Sequence, residues 1–501
     1  MHHTRAAPVI AAAALVVGSA AAAYYAAAGL SLAHYDARAH LVVSRRIIDS
    51  LTPGWQQVGA VWLPLPHLLN LVPVQIDALY RNGASAIAIS VASMALACWA
   101  MSFIILRVTG STSGALAASG LLLLNPNVLY LQSTPMTEPL LLGLALAGIA
   151  LTIVWLERDR TWPVAAGLVL AAACLTRYEA WPITAATIVL SGAARWRGGT
   201  TLRASVVACL RLAVFPAIAV VLFLVNSRWT VGAWFVSGGF FVPENTKALG
   251  HPLVAYQQVS EGLHQLSGTA LVWSAYAGAI LTIVAFARSV SRASLIVLLA
   301  LAAAAALPWM AYLQGHPFRI RYDVPLVAAA AALAGAGIGL LWRRSQPLVA
   351  AAVVGVALLQ AHPLDRTAPL IVESQLDAAN SAGRQAVTTY LVRHYDGRGV
   401  MMSMGSLGHY MQDLSRSGFR IHDFLHEGNG DLWNFAMSSP RAVVAWVAIE
   451  EKAEGGDALY LAAARDPKFL QGFTRVAEGG GVALYRLAAP RQVLRGSNRT
   501  P

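Results

Sequence analysis

The chain has 501 residues, of which 57% are hydrophobic and 12% charged, with a formal net charge of +12. A soluble domain carries about a quarter of its residues as charges, so this composition argues against a string of soluble domains. The arginines sit in short clusters between apolar blocks rather than on one basic face, which excludes nucleic acid as the natural partner and makes membrane topology their explanation. Cys98, Cys174 and Cys209 all lie in apolar blocks, so no disulfide framework and no CxxC metal site is available, and they read as small buried hydrophobes.

Eleven apolar blocks follow in chain order, at 8–30, 84–106, 113–131, 138–156, 162–175, 178–192, 204–226, 268–287, 293–313, 323–342 and 346–361. Blocks such as 84–106 and 293–313 match the ~20 residues a helix needs to cross hydrocarbon. The first block, with Arg5 before it and GSAAAA inside it, has features of a secretory signal. Its apolar run continues through Tyr24 and Tyr25 to about Leu32, which points to an uncleaved first helix.

With the N-terminus cytoplasmic, every second short loop should be basic. Arg107, then Arg158 and Arg160, then Arg195, Arg197 and Arg203, then Arg288 and Arg292, then Arg343 and Arg344 all fall on that side. An odd number of crossings then leaves the C-terminal region outside. Three outer segments stand out. The long loop 31–83 opens with HYDARAH and carries amphipathic stretches. The segment 227–267 contains WFVSGGFFVPENTKALGHP, and 315–325 reads GHPFRIRYDVP.

From about 364 the chain turns polar and alternates helical and strand-like patterns. A helix is expected from Ser374 to Tyr395, then strands at GVMMSM and RAVVAWVAIE, then a hairpin around Gly479 to Gly481. The expected architecture is an all-α polytopic membrane protein of about eleven transmembrane helices, residues 1–362, followed by a small extracytoplasmic α/β domain, residues 363–501. No internal repeat of fixed period is visible.

Ionisable residues at the ends of membrane helices are expensive to keep and mark function. Asp36 follows the first block, Glu138 opens the fourth, Arg177 and Glu179 sit in the tight turn LTRYEAWP, and Arg319 and Arg321 precede the tenth. All lie on the outer face, where the arginines run against the charge rule. Interfacial snorkelling explains any one of them. Carboxylates and arginines converging on one face suggest a site for an anion with a carboxylate beside it.

The order of these features resembles that of the GT-C membrane glycosyltransferases, in particular the branch of protein O-mannosyltransferases and the aminoarabinose transferase of lipid A. Asp36 within YDARAH and Glu138 within TPMTEP occupy the positions of that branch's carboxylates, and TRYEAW and FRIRYxxP are similar to segments of bacterial members. The resemblance spans about residues 8–345. Asp36 is followed by Ala37 where mannosyltransferases carry an Asp-Glu pair, so the sugar, hexose or pentose, stays open.

The resemblance implies transfer of a sugar from a polyprenyl-phosphate donor to an acceptor hydroxyl on the outer face of the cytoplasmic membrane of a bacterium. The acceptor would be a protein, a glycolipid or a wall glycan. Asp36 and Glu138 would be the catalytic carboxylates. Arg321, Arg319 and Arg177 would hold phosphate, with Tyr322, Glu179 and His40 at the substrate. A phosphate leaving group needs charge stabilisation rather than a general acid, and arginine supplies it.

The sequence has no GxxxxGK[ST] loop, no HExxH and no DxD motif. GAGIG at 335–339 lies inside an apolar block and reads as close helix packing rather than a dinucleotide fingerprint. His34, His40 and Glu138 are candidates for a divalent cation, as are His422, His426, Glu427 and Asp431 of HDFLHEGNGD if that stretch is helical, although its Gly-Asn-Gly implies a loop. The rival to an enzyme is a transporter or flippase of lipid-linked sugars, which would show inverted repeats and midplane ionisable residues.

Overall fold

The computed structural model describes residues 6–158, 162–236, 244–453 and 456–488. Arg5, Arg160 and the 237–243 part of the second outer segment lie outside the described residues. The chain divides into two compact units. Of the described residues, the first comprises those up to Ile47, from Val58 to 236 and from 244 to Asp377, and the second Ile48–Gln57 and those from Ala378 onward.

The first unit is helical throughout. In chain order it holds α1 (Ala6–Ala27), α2 (Tyr35–Arg46), α3 (Ala84–Thr109), α4 (Thr112–Leu123), α5 (Glu138–Arg158), α6 (Val164–Cys174), α7 (Ala180–Arg197) and α8 (Leu202–Val231). It continues with α9 (Pro252–Ser267), α10 (Thr269–Arg288), α11 (Val290–Leu313, wound as a 3-10 helix over Val290–Ala305 and as an α-helix over Ala306–Leu313), α12 (Val324–Leu340), α13 (Gln346–Gln360) and α14 (Pro369–Ser374). All eleven apolar blocks carry helix, and among the described residues seven helices are long and apolar enough to cross a membrane. Helices α4, α6 and α13 are shorter apolar segments, and α7 ends in a turn carrying Arg195 and Arg197.

Local chemistry explains one of the breaks. The block 113–131 stops at Leu123 because Pro126 has no N–H to continue the ladder. Asn125 instead caps a new short helix, Pro126–Leu131, by accepting from Asn127 and Val128 N–H.

Burial orders the helices. The span Ile320–Leu340 has 94% of its apolar window inside the protein, and Leu202–Val231 only 28%. The first is therefore the centre of the unit, packed against α10, α4 and α11. The second presents Leu210, Ile218, Val221 and Leu222 outward, as a lipid-facing helix does. Helix α1 buries Ala7, Ala14, Gly18, Ala21 and Tyr25, a seam at helical spacing that packs on α3.

The glycines of GAGIG act as expected for packing. A Cβ on Gly335 would sit 2.5 Å from Ala118 Cβ, and one on Gly337 would sit 2.7 Å from Gly278 Cα. Helix α12 thus approaches α4 on one face and α10 on the other.

In the second unit, five strands, β1 (Val400–Met402), β2 (Phe424–Leu425), β3 (Trp446–Glu450), β4 (Phe473–Gly479) and β5 (Val482–Leu487), form one sheet in the order β2-β1-β3-β5-β4. β2, β1 and β3 are parallel, with Val400 opposite Phe424 and Trp446, and β5 and β4 continue antiparallel. Parallel pairing requires crossover helices, here Met404–Leu414 and Asp431–Ser438. The β4–β5 turn is Gly480–Gly481, both at positive φ.

The helix expected from Ser374 to Tyr395 is instead Ala378–Gly383 and Gln385–His394. The break falls where Gly383 meets the hairpin turn, since a Cβ there would lie 2.7 Å from Gly480 N. The division expected at 362/363 lies at 377/378, because α14 docks into the first unit with Leu370 N–H donating to Asn127 Oδ1 at 3.1 Å.

The second unit also holds a strap from the long first loop, residues 48–57. Asp49 accepts from Ile421 and His422 N–H at 3.3 Å and lies 2.7 Å from His422 Nδ1. Asn429 Nδ2 donates to Ser50 Oγ and Thr52 Oγ1, and Gln57 Nε2 donates to Gly428 O at 2.8 Å.

Candidate active site

Asp36 sits in the first turn of α2. His34 is the N-cap, and its Nδ1 accepts the Asp36 backbone N–H at 3.1 Å. That bond leaves the imidazole proton on Nε2 in the neutral ring, aimed toward Glu373 at 3.8 Å. The Asp36 carboxylate is paired with Arg321 Nη2 at 2.5 Å, and both side chains are 10% exposed. Burial raises the Asp36 carboxyl, but Arg321, with His34 and Arg319 behind it, more than offsets this and holds it below the usual carboxylate range.

Arg321 comes from the short 3-10 segment Ile320–Asp323 ahead of α12. Its guanidinium lies 5.6 Å from the Tyr322 ring centroid, and its Nε is buried without a hydrogen-bond partner among the described residues. Arg319 is fixed from behind, where its carbonyl accepts from Tyr312 OH at 3.0 Å.

A second cluster forms where the α6–α7 turn meets the start of α5. Arg177 lies between Glu138, at 2.9 Å, and Glu179, at 2.7 Å, and donates to Thr137 Oγ1 at 3.1 Å. Glu138 and Glu179 are both fully buried or nearly so. The turn is tied to the first loop by Leu65 N–H donating to Leu175 O and by Tyr178 OH donating to Val61 O.

The first loop supplies a third group. His40 Nδ1 and His67 Nε2 are 3.0 Å apart, and the Trp62 ring lies tilted against His40 with its centroid 4.0 Å away. Burial, then His67, then Arg321 and Arg177 push the His40 imidazole well below its ordinary value. His40 therefore feels both arginine clusters, which share one polar region with it.

The catalytic and substrate-binding residues read from the sequence lie in the first unit, and Asp36 with Arg321 and Glu138 with Arg177 meet as ion pairs. Histidine 67, Glu373 and Asp323 were not singled out. The first two carry no sequence signal beyond position, while Asp323 lies within the FRIRYDVP segment itself. It is fully buried with both oxygens lacking hydrogen-bond partners among the described residues.

The cation candidates separate. His34 serves Asp36 and Glu373, His40 serves His67, and Glu138 serves Arg177. In the second unit His422 goes to Asp49, His426 caps Gly428 N–H, and Glu427 accepts from Met404 N–H. The stretch 421–431 folds as short 3-10 turns around β2, so the i, i+4 helical face that would bring His422 and His426 together does not form. Among the described residues no three His, Cys, Asp or Glu side chains gather as a metal site.

By sequence, no family model and no curated protein matches the chain. By structure, it superposes on ArnT from Cupriavidus metallidurans bound to undecaprenyl phosphate with a TM-score of 0.56 at 16% identity, covering 96% of this chain and 99% of that one. The apo state of the same protein gives a TM-score of 0.57 at 16% identity, covering 96% and 98%. The chain has the ArnT fold. That is the fold the resemblance in the sequence implied, and the match covers the C-terminal sheet as well as the helices.

Proposed function

We propose that this chain is a membrane glycosyltransferase that moves a sugar from a polyprenyl-phosphate donor to an acceptor hydroxyl on the outer face of the cytoplasmic membrane. The observation that carries the reading is the buried Asp36–Arg321 pair, which joins a carboxylate base to a cation with donors to spare. The ArnT structure in complex with undecaprenyl phosphate supports the class of donor.

A guanidinium has five N–H donors. One nitrogen of Arg321 is on Asp36 and its buried Nε has no hydrogen-bond partner among the described residues, so the group keeps a donor for a phosphate that enters the site. Arg319 adds a second charge. The Arg177 nitrogens are engaged by Glu138, Glu179 and Thr137, which assigns Arg177 the role of holding those carboxylates in place. Glu138, held by Arg177, is then positioned to orient an acceptor.

The leaving phosphate has a second pKa of about 6 and departs without a proton. The acceptor hydroxyl must lose one, and Asp36 accepts it. A phosphate drawing on Arg321 weakens that arginine's hold on Asp36, so donor binding makes the carboxylate a stronger base at the moment it is needed.

The test is to incubate purified protein with a panel of radiolabelled polyprenyl-phosphate sugars and acceptor extracts. Label should reach an acceptor with wild-type protein and not with Asp36→Asn. Movement of intact donor across proteoliposomes with no transfer would replace this reading with a flippase.

A further inference from the structure

Helix α14 follows the last apolar helix, and with the turn after it returns residues 369–377 to the first turn of α2. Two links fasten it there. Glu373 faces His34, and Asp377 Oδ2 accepts from Arg38 Nη2 at 3.1 Å. Glu373 lies in α14 and Asp377 in the turn that follows Ser374, so the helix and its C-terminal turn both face the start of α2. Leu370 and Ile371 are buried beside them, and Leu370 N–H is held by Asn127. Glu373 is thus a fixed group in a built wall.

Its carboxylate is nonetheless unfinished. Both oxygens are buried, and neither has a hydrogen-bond partner among the described residues. His34 Nε2 at 3.8 Å is near enough to attract but too far to donate. A buried carboxylate left without donors costs more than most folds tolerate, and native structures leave few such groups without a reason. His34 and then the charges of Arg321 and Arg319 reach it, so it faces the same charged cluster as Asp36. An anion there repels phosphate. What it recruits is a neutral ligand rich in O–H donors.

We propose that Glu373 is a substrate-binding and specificity-determining residue that accepts hydrogen bonds from hydroxyl groups of the bound sugar. The inference rests on the glycosyltransferase reading above. The hydroxyls belong either to the donor's sugar or to a glycan acceptor, and kinetics separate the two.

The experiment measures kcat and KM for donor and acceptor with wild type, Glu373→Gln, Glu373→Ala and Asp377→Asn. Loss of a hydroxyl-to-carboxylate bond should raise one KM roughly 10- to 100-fold while kcat changes only a few-fold. A donor KM effect assigns the donor sugar, and an acceptor KM effect the acceptor. Asp377→Asn loosens the same wall without touching the sugar and should leave both KM values near wild type. If Glu373→Ala fails to fold, Glu373→Gln, which keeps the volume, carries the measurement. Unchanged KM values in the Glu373 variants, or an equal rise in Asp377→Asn, overturn the proposal. Absence of transfer by wild-type protein with every donor overturns the glycosyltransferase reading and this inference with it.

Discussion

Asp36 and Arg321 meet at 2.5 Å, the one from the first turn after the first apolar helix and the other from the approach to the central helix α12. The pair fastens the long first loop to the most buried span of the unit. It also means that the base and the phosphate ligand of the proposed reaction are poised against each other before any substrate arrives. Each group's role can be separated by substitution.

Asp36→Asn keeps the shape of the side chain and an oxygen for Arg321 but cannot accept a proton. It should leave the protein folded and donor binding largely intact, and cut turnover by roughly 10²- to 10⁴-fold, the usual worth of a positioned base. A loss confined to KM would make Asp36 a binding group instead.

Arg321→Ala should abolish or badly weaken donor binding, because it removes a charge-assisted partner worth about 1.5–3 kcal/mol and leaves Asp36 buried without its counter-charge. Arg343→Ala, at an exposed arginine on the opposite side in the topology read from the sequence, should do little. Donor titration of both variants decides it. Equal affinities would take the arginine out of the phosphate site.

How far the sequence reached follows from what each feature depends on. The helices were legible because burial in lipid demands apolar length, which is written locally. Their exact spans were less so. Asn125 and Pro126 split one block through a cap, and the apolar blocks do not reveal which helix is central. The residues Asp36, Glu138, Arg177 and Arg321 were found because charge next to an apolar block is conspicuous. Glu373 and His67 stayed hidden because their significance comes from partners far away in the chain, His34 and His40. The strap at 48–57 was missed for the same reason, its partners being Ile421, His422 and Asn429.

Topology is open to direct test. Reporter fusions at Gly199 and Gly428 should report opposite sides, the first cytoplasmic and the second outside, as the arginine pattern requires. Equal signals would overturn the odd number of crossings and with it the placement of the site on the outer face.

The His40–His67 pair predicts an acid-labile fold. Burial and then Arg46 push the His67 imidazole down to about 3, and His40 is held well below its ordinary value by burial and by His67. In the unfolded chain both titrate near 6.5. As pH falls below that value the unfolded state takes up protons that the folded state refuses, so stability present above about pH 6.5 is progressively lost toward pH 3. Thermal melting in detergent from pH 7 to pH 4 should show a falling Tm. His67→Gln should flatten that fall, and a slope identical to wild type would remove the pair as its cause.

Helix packing at the centre of the unit gives the last prediction. A Cβ on Gly278 of α10 would lie 1.9 Å from the Leu333 carbonyl oxygen of α12, a backbone atom that cannot swing aside. Gly278→Ala must push α10 and α12 apart, and overpacking of this kind costs about 1–3 kcal/mol. Gly355 lies within α13 and has nothing within 4 Å of its Cβ position. There alanine gains up to about 1 kcal/mol of helix propensity with no clash. The two substitutions are chemically identical and should move Tm in opposite directions, down for Gly278→Ala and level or up for Gly355→Ala. Because α12 follows directly on the Arg321 segment, the Gly278 variant should also weaken donor binding. A Gly278→Ala protein with unchanged Tm would mean that the central helices are not in the close contact described.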